Sequence, residues 1–441
     1  MTSLWNADEL NGLAEGLNWA SKDTLKPVGN FDADYAALCR VFEVPAHPCL
    51  ASRLPKNDNN NNKTNNSKDG GGGAVVTASP KSSSSSAVHF RNFTADHTTL
   101  RLALEALKRS PDIDTLYFHN AGLTRTSVAA LVEGLPNTTI RCLGLDYNNT
   151  DSNAVVAATQ PGCGVRLPPS GRLDAESEEE EDGGVGEGVG VEAGDTLSTG
   201  SKLKALSLRG NGLGDEEAAA VAEAIEENTV LCSLNLFDNA ITDVGAEALA
   251  KTLRLNTALR GLSLARNRLT STSAETFGLL LAGGYEVLQA ELDKRAAAET
   301  KIAAQNKIAQ DAMKKKKDAN VETRQPLSAV VQGEDGRSVA GGSRSLAALN
   351  LADNRDLGAG GALAGLLMRI VEARKREGDA VPGGGGGDGG VVLRELHLMR
   401  CQGPDLEGGG GEEGGDGEGG MEQAGLITAA SFELRPTRVV V

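Results

Sequence analysis

Three segments of the chain carry one pattern of apolar positions in the same register: LKALSLRGNGLGDEEAAAVAEAIEENTV from Leu203, LCSLNLFDNAITDVGAEALAKTLRLNTA from Leu231 and LRGLSLARNRLTSTSAETFGLLLAGG from Leu259. The period is 28 residues, and each segment opens L-x-x-L-x-L-x-x-N-x-[LI]. In that opening Leu206 and Leu208 alternate with period two, which points both side chains to one face of a short strand. In the second half Ala218, Val221 and Ile225 recur three and four residues apart and line one stripe of a helix. Ala246, Leu249 and Leu253 repeat that stripe, as do Ala274, Phe277 and Leu281. One strand and one helix cannot bury their apolar faces alone, so the pattern predicts stacked strand–helix units sharing a core.

Weaker copies flank the three. Upstream are Ile113-x-x-Leu116-x-Phe118, with a helical stripe at Leu131, Val132 and Leu135, and Ile140-x-x-Leu143-x-Leu145-x-x-Asn148. Downstream are Leu346-x-x-Leu349-x-Leu351-x-x-Asn354 and Leu393-x-x-Leu396-x-Leu398-x-x-Cys401. That makes seven repeats. Asn211, Asn239, Asn267 and Asn354 are expected to point inward and bond the backbone of adjacent repeats, because an amide both donates and accepts. Cys401 takes the same place and reads as a buried structural thiol. The period and the strand–helix unit resemble the ribonuclease-inhibitor class of leucine-rich repeats. The resemblance implies an α/β fold: a horseshoe-shaped solenoid, with strands lining its concave side and helices outside.

The array is interrupted in sequence. Residues 1–52 read as an N-terminal helical cap on Trp5, Leu13, Leu17, Trp19, Tyr35, Leu38 and Phe42. A low-complexity linker (53–87) precedes repeats at 88–285, which hold an acidic insert at 151–200. Residues 286–345 read as a charged helix and linker, 346–405 as C-terminal repeats, and 406–441 as a Gly/Glu-rich segment and tail. The linker, the acidic insert and the glycine runs bury too little apolar surface to offset ordering entropy, so disorder is expected there. The stretch EVLQAELDKRAAAETKIAAQNKIAQDAMKKKK from Glu286 has no Gly or Pro and is rich in helix formers. Its apolar positions are sparse, so it predicts a protruding, solvated helix, with Lys314–Lys317 suiting the C-terminal end of the dipole. The order of parts, with the motifs Phe118-His119-Asn120-Ala121-Gly122-Leu123-Thr124 and Leu349-Asn350-Leu351-Ala352-Asp353-Asn354-Arg355, resembles a cilium-linked group of animal leucine-rich repeat proteins. That resemblance implies an axonemal or cytoskeletal setting.

Composition narrows the functional classes. A net charge of −16 repels phosphate backbones and disfavours nucleic acid as the main partner. No apolar run is long enough to span a membrane, and the start lacks a basic region followed by an apolar one. The six cysteines form no C-x-x-C pair, so the expectation is a cytoplasmic protein with reduced thiols and no metal. No phosphate loop, H-E-x-x-H or G-x-S-x-G motif occurs, so neither a catalytic residue nor a cofactor is expected.

Binding has an address. The positions between and just after the paired leucines face the concave side: Tyr117, Asp146, Arg209, Asn235, Phe237, Asp238, Arg266, His397 and Arg400. Phe237 is a large apolar residue at such a position, flanked across the sheet by Arg209 and Arg266. It either packs against a neighbouring loop or anchors an interface, and aromatics and arginine are typical anchors. The expected function is a non-catalytic protein–protein scaffold in a cytoskeletal, ciliary or flagellar setting. Two alternatives stand beside it. A Ran-type GTPase-activating protein uses the same repeat class and carries an acidic segment. An innate-immune sensor shares the repeat but needs a phosphate loop.

Overall fold

The computed structural model describes residues 25–51, 53, 86–124, 127, 130–131, 134–148, 202–226, 228–315, 323–332, 336–379, 393–401 and 438–440. The expectations for Trp5, Leu13, Leu17, Trp19 and Val132, for the acidic insert and for the glycine runs lie outside these residues.

Nine strands form one parallel sheet: β1 (Ala87–Arg91), β2 (Thr115–His119), β3 (Cys142–Asp146), β4 (Ala205–Ser207), β5 (Ser233–Asn235), β6 (Gly261–Ser263), β10 (Ala348–Asn350), β11 (Glu395–His397) and β12 (Arg438–Val440). They pair in chain order and in one register, so that Leu116, Leu143, Leu206, Leu234, Leu262, Leu349 and Leu396 form a single row across the sheet. Every member of that row is at most 3% exposed. Parallel neighbours need a crossover. It is supplied by α3 (His97–Lys108) after β1, α4 (Asp215–Glu226) after β4, α5 (Asp243–Leu253) after β5, α6 (Ser271–Ala282) after β6 and α8 (Ala362–Asp379) after β10. Helix α4 packs on α5, α5 on α6, and α6 on α8, in the order of their strands. One hydrophobic core runs the length of the stack, from Phe31 to Cys401.

Two recurring devices shape each unit. The residue before the ladder asparagine, or before Phe93, Ala121 or Cys401 in its place, takes a left-handed conformation after each of the first eight strands: Asn92, Asn120, Tyr147, Gly210, Asp238, Arg266, Asp353 and Arg400 have φ between 49° and 66°. This turns the chain off the sheet toward the helix, and only Gly210 does so without a Cβ penalty. The asparagine that follows then binds two units at once. The Asn239 Oδ1 accepts from the Asn211 and Leu213 backbone N–H groups at 3.0 and 3.1 Å, while its Nδ2 donates to the Leu208 and Leu236 carbonyls. Asn211, Asn267 and Asn354 bond in the same way to their neighbours. Cys401 has one donor where the others have an amide. Its Sγ reaches the Leu351 carbonyl at 3.0 Å, and burial pushes the thiol up to about 11.

Several expectations need correction. The seven-repeat count stops short of both edges, because β1 and β12 extend the sheet beyond the first and last motifs. The array is interrupted in sequence but not in hydrogen bonding: β3 pairs directly with β4 across residues 149–201, and β6 with β10 across the long insert.

That insert is also more than a helix and a linker. Strands β7 (Gly283–Glu286), β8 (Val330–Gln332) and β9 (Ser338–Gly341) make a second, antiparallel sheet at its base. Gly283 and Gly342 let the chain cross itself there, since a Cβ on Gly342 would collide with the Leu281 carbonyl. The charged helix α7 (Gln289–Lys315) does not project freely. Its less exposed positions, Glu291, Leu292, Arg295, Ala298, Ile302, Gln305, Asn306 and Ala309, fall three and four apart on one stripe. Lys294 pairs with Glu226 at the end of α4, and Glu291 with Arg254 at the end of α5. At the other edge, α1 (Phe31–Val41) packs on α3, and the short α2 (Pro48–Ala51) packs on β1.

Candidate functional site

Alternation along each strand leaves one side chain per unit on the face opposite the helices, and the left-handed turn after it presents more. Between β3 and β6 these side chains form one connected cluster. The Asp146 carboxylate accepts from Ser207 Oγ at 2.6 Å, and Asn235 Nδ2 donates to that hydroxyl at 3.3 Å. The Asn235 Oδ1 in turn accepts from the Phe237 backbone N–H at 3.0 Å, which fixes the turn that carries the ring. The Arg209 guanidinium lies over the Phe237 ring at 4.2 Å and over the Tyr147 ring at 5.3 Å, while its Nε donates to the Tyr147 hydroxyl at 2.9 Å. That hydroxyl donates to Asp238 at 3.1 Å, and the other Asp238 oxygen receives Arg266 Nε at 3.1 Å.

The cluster therefore brings together Asp146, Arg209, Asn235, Phe237, Asp238 and Arg266. Arg266 pairs with Asp238, and Arg209 is the cation over the Phe237 ring. Tyr147 is the hub, and its position depends on Gly210, because a Cβ there would collide with the tyrosine ring. Gly144 clears the ring of Tyr117 in the same way.

Tyr117 belongs to an adjoining aromatic row. It stacks on His89 at 5.3 Å with the rings nearly parallel, and His119 meets Tyr147 edge-on at 5.1 Å. Burial, with Arg91 and Arg53 nearby, holds His89 below its usual value and favours the neutral imidazole. Burial, together with Asp146, raises the Tyr117 phenol. His89 escaped the sequence reading because β1 lacks the full motif, although the alternation Val88-x-Phe90 was there to be seen.

His397 and Arg400 stand apart at the C-terminal end. His397 lies 3.9 Å from Glu395, and Arg400 pairs with Asp353 at 3.4 Å beside the exposed Met399. Among the described residues no group of three acid, histidine or cysteine side chains is placed to hold a metal ion, and Cys39, Cys49, Cys142, Cys232 and Cys401 are unpaired thiols. No helix among them is long and apolar enough to cross a membrane.

Comparison with known proteins accords with the repeat. A family model described as Leucine Rich repeat matches residues 201–222 and 227–250, which contain β4, β5 and most of α4 and α5. No curated protein matches the chain. Among solved structures it is similar to the actin-binding site 2 of leiomodin-1, at 18% identity and a TM-score of 0.23, covering 43% of this chain and 95% of that one. The ciliary setting implied by the order of parts finds no support in these comparisons.

Proposed function

We propose that the chain is a protein-binding scaffold: a solenoid of the ribonuclease-inhibitor type whose strand-lined, concave face receives a protein partner. Support for a solenoid comes from the nine parallel strands paired in chain order, with helices stacked in the same order on the other side. The observation that carries the binding surface is Arg209, held between the Tyr147 and Phe237 rings. Side chains already fixed by hydrogen bonds lose little entropy when a partner lands on them. Arginine, tyrosine and an aromatic anchor at the centre of a sheet face also match the composition of interface hot spots. An overall charge of −16 favours a protein with a basic surface over a nucleic acid.

The test is affinity purification of the full chain and of Phe237→Ala and Arg209→Glu variants, with quantitative mass spectrometry of what each retains. Both changes fall on half-buried side chains outside the core. We expect the variants to fold as the parent does and to lose at least tenfold of a specific partner, about 1.4 kcal/mol. An identical set of proteins at identical yield on all three would refute the assignment of this face.

A further inference from the structure

The strand-lined face carries one carboxylate without a cation of its own. Asp238 pairs with Arg266, Asp353 with Arg400, and Glu395 lies 3.9 Å from His397. Asp146 pairs with none of the described cations, although Arg209 stands beside it in the turn after β4. The Arg209 side chain turns away, toward Tyr147 and Phe237. What Asp146 receives instead is neutral: the Ser207 hydroxyl at 2.6 Å and the Arg209 backbone N–H at 3.4 Å, both on Oδ1. Its Oδ2 accepts from no described residue. Taking a carboxylate partly out of water costs energy that two neutral donors on one oxygen return only in part.

Tyr117 stands next to that carboxylate. The register sets it opposite Gly144, two residues before Asp146 on β3. A side chain at 144 would collide with the tyrosine ring, so the ring leans over the strand that carries Asp146. His89 stacks against the ring from β1, on its other side. The next residues of the row across the sheet are Ser207, Asn235 and Ser263, short side chains that leave room beyond the ring. The Tyr117 hydroxyl bonds no described residue, and the charge on Asp146 is close enough to help raise the phenol. An aromatic ring, a phenol oxygen and an unused carboxylate oxygen therefore meet at one place, and each of the three attracts a cation.

Resting on the reading that this face binds a protein, we propose that the place between Tyr117 and Asp146 receives a lysine side chain of the partner. The ammonium donates to the free Asp146 oxygen and to the Tyr117 hydroxyl, and the aliphatic stem lies along the ring. Lysine fits better than arginine. A guanidinium fork pairs with two carboxylate oxygens and Asp146 has one to give, whereas an ammonium is a compact point charge. The net charge of −16 draws a lysine-bearing surface in at long range. The Ser207 bond already holds the carboxylate in place, so little ordering remains to be done when the lysine arrives.

The experiment is an NMR titration of the full chain, isotope-labelled in its four tyrosines, with the capped tripeptide acetyl-Gly-Lys-Gly-amide. The same peptide carrying acetyl-lysine, which keeps the stem and loses the charge, and one carrying arginine serve as comparisons. The Tyr117 signal, identified by its loss in Tyr117→Phe, should shift saturably with the lysine peptide. Binding should be at least tenfold tighter than for the acetylated peptide and tighter than for the arginine one. Asp146→Asn should weaken the lysine peptide at least tenfold, while Asp353→Asn, toward the other end of the sheet, leaves it unchanged. The buried Tyr35 and Tyr285 report whether a variant keeps its fold. No saturable shift, equal affinity for the acetylated peptide, a preference for arginine, or full affinity in a folded Asp146→Asn would each overturn the proposal. Should Asp146→Asn disturb Tyr35 or Tyr285, the acetylated comparison on the parent decides. If the lysine peptide fails while Phe237→Ala still loses the partner, the face stands and only the lysine is removed. If Phe237→Ala and Arg209→Glu both retain every partner, the face itself falls.

Discussion

Helix α6 and helix α7 follow one another in the chain and are held to the molecule by opposite means. Helix α6 turns Ala274, Phe277, Leu280 and Leu281 into the core, all at most 1% exposed, and stacks between α5 and α8 as one of a series. Helix α7 is more than twice as long, yet its central buried residue is Arg295, at 2% exposure. That guanidinium bonds the Tyr285 hydroxyl at 3.2 Å and the Ser328 carbonyl at 2.6 Å, so one side chain ties the helix to β7 and to the segment before β8. Apolar burial adds area by area and spreads over many residues. A polar anchor concentrates its contribution in a few directed bonds and fails when one partner is removed. The repeats should therefore unfold together, whereas the insert should be able to leave alone.

The largest expected effect tests the cooperative half of that contrast. Phe277→Ala removes a wholly buried ring from between the helices, at a cost of about 3–5 kcal/mol. Denaturation followed by fluorescence and by circular dichroism should show one transition at lower denaturant by both probes. Loss of signal confined to α6, with the remaining repeats unmoved, would break the picture of a shared core. Next in size is Asn354→Ala. This amide bridges β6 and β10 at the point where the chain departs into the insert, and it accepts from Asn267 and Leu269 while donating to Leu264 and Leu351. Leaving buried backbone groups unpaired costs about 1–3 kcal/mol each. If the variant melts within a degree of the parent, the stack is continuous by apolar packing alone and the ladder adds nothing.

Why the repeats could be read from sequence and the insert could not follows from the same contrast. A stripe of Leu, Val and Ala at helical spacing announces which face of α4, α5 and α6 is buried, because burial there is apolar. The stripe on α7 runs Glu291, Leu292, Arg295, Ala298, Ile302, Gln305, Asn306, and no hydrophobic period marks it. The edges were hidden for a related reason. Strand β1 has only Val88 and Phe90 to show, and β12 follows a long glycine-rich stretch with no motif at all. At the candidate site the register alone places Arg209 and Phe237 on one face. It does not say that Arg209 turns toward Tyr147 and Arg266 toward Asp238, since that depends on where long side chains find partners across neighbouring turns. A second asparagine ladder at the helix ends was equally unmarked. Asn256 Nδ2 donates to the Ile225 and Asn228 carbonyls, and Asn228 and Asn256 sit one period apart in NTV and NTA.

Arg295→Met tests the other half of the contrast. Methionine keeps the length of the stem but loses the bonds to Tyr285 and Ser328, worth about 1–3 kcal/mol locally. Hydrogen exchange read by mass spectrometry should show lost protection across 285–309 and 328–341, with exchange in β4, β5 and β6 unchanged. Protection lost equally in the insert and the central strands would mean that the two regions are one cooperative unit.

The smallest effect concerns how the repeats join on their helical side, and it is set by pH. Asp243 opens α5 and accepts from the Thr270 backbone N–H at 2.9 Å, from Thr270 Oγ1 at 2.6 Å and from the Ser273 hydroxyl, which cap and open the next helix. Asp215 does the same to Thr242 one unit earlier. Burial alone would raise the Asp243 carboxyl, but the bonds from Ser273 and Thr270 outweigh it and hold it below its ordinary value. A carboxyl depressed in the folded state stabilises fully above its unfolded value, and that contribution fades as pH falls through the depressed one. Asp243→Asn should therefore cost on the order of 1 kcal/mol at pH 7, the scale of a lost helix cap. The deficit relative to the parent should shrink in denaturation measured below about pH 4. If it stayed constant down to pH 2, the charge on Asp243 would be irrelevant and only the geometry of its bonds would join one helix to the next. The helical side of the repeats would then resemble their apolar core, indifferent to pH, and polar anchoring would be confined to the insert and the asparagine ladders.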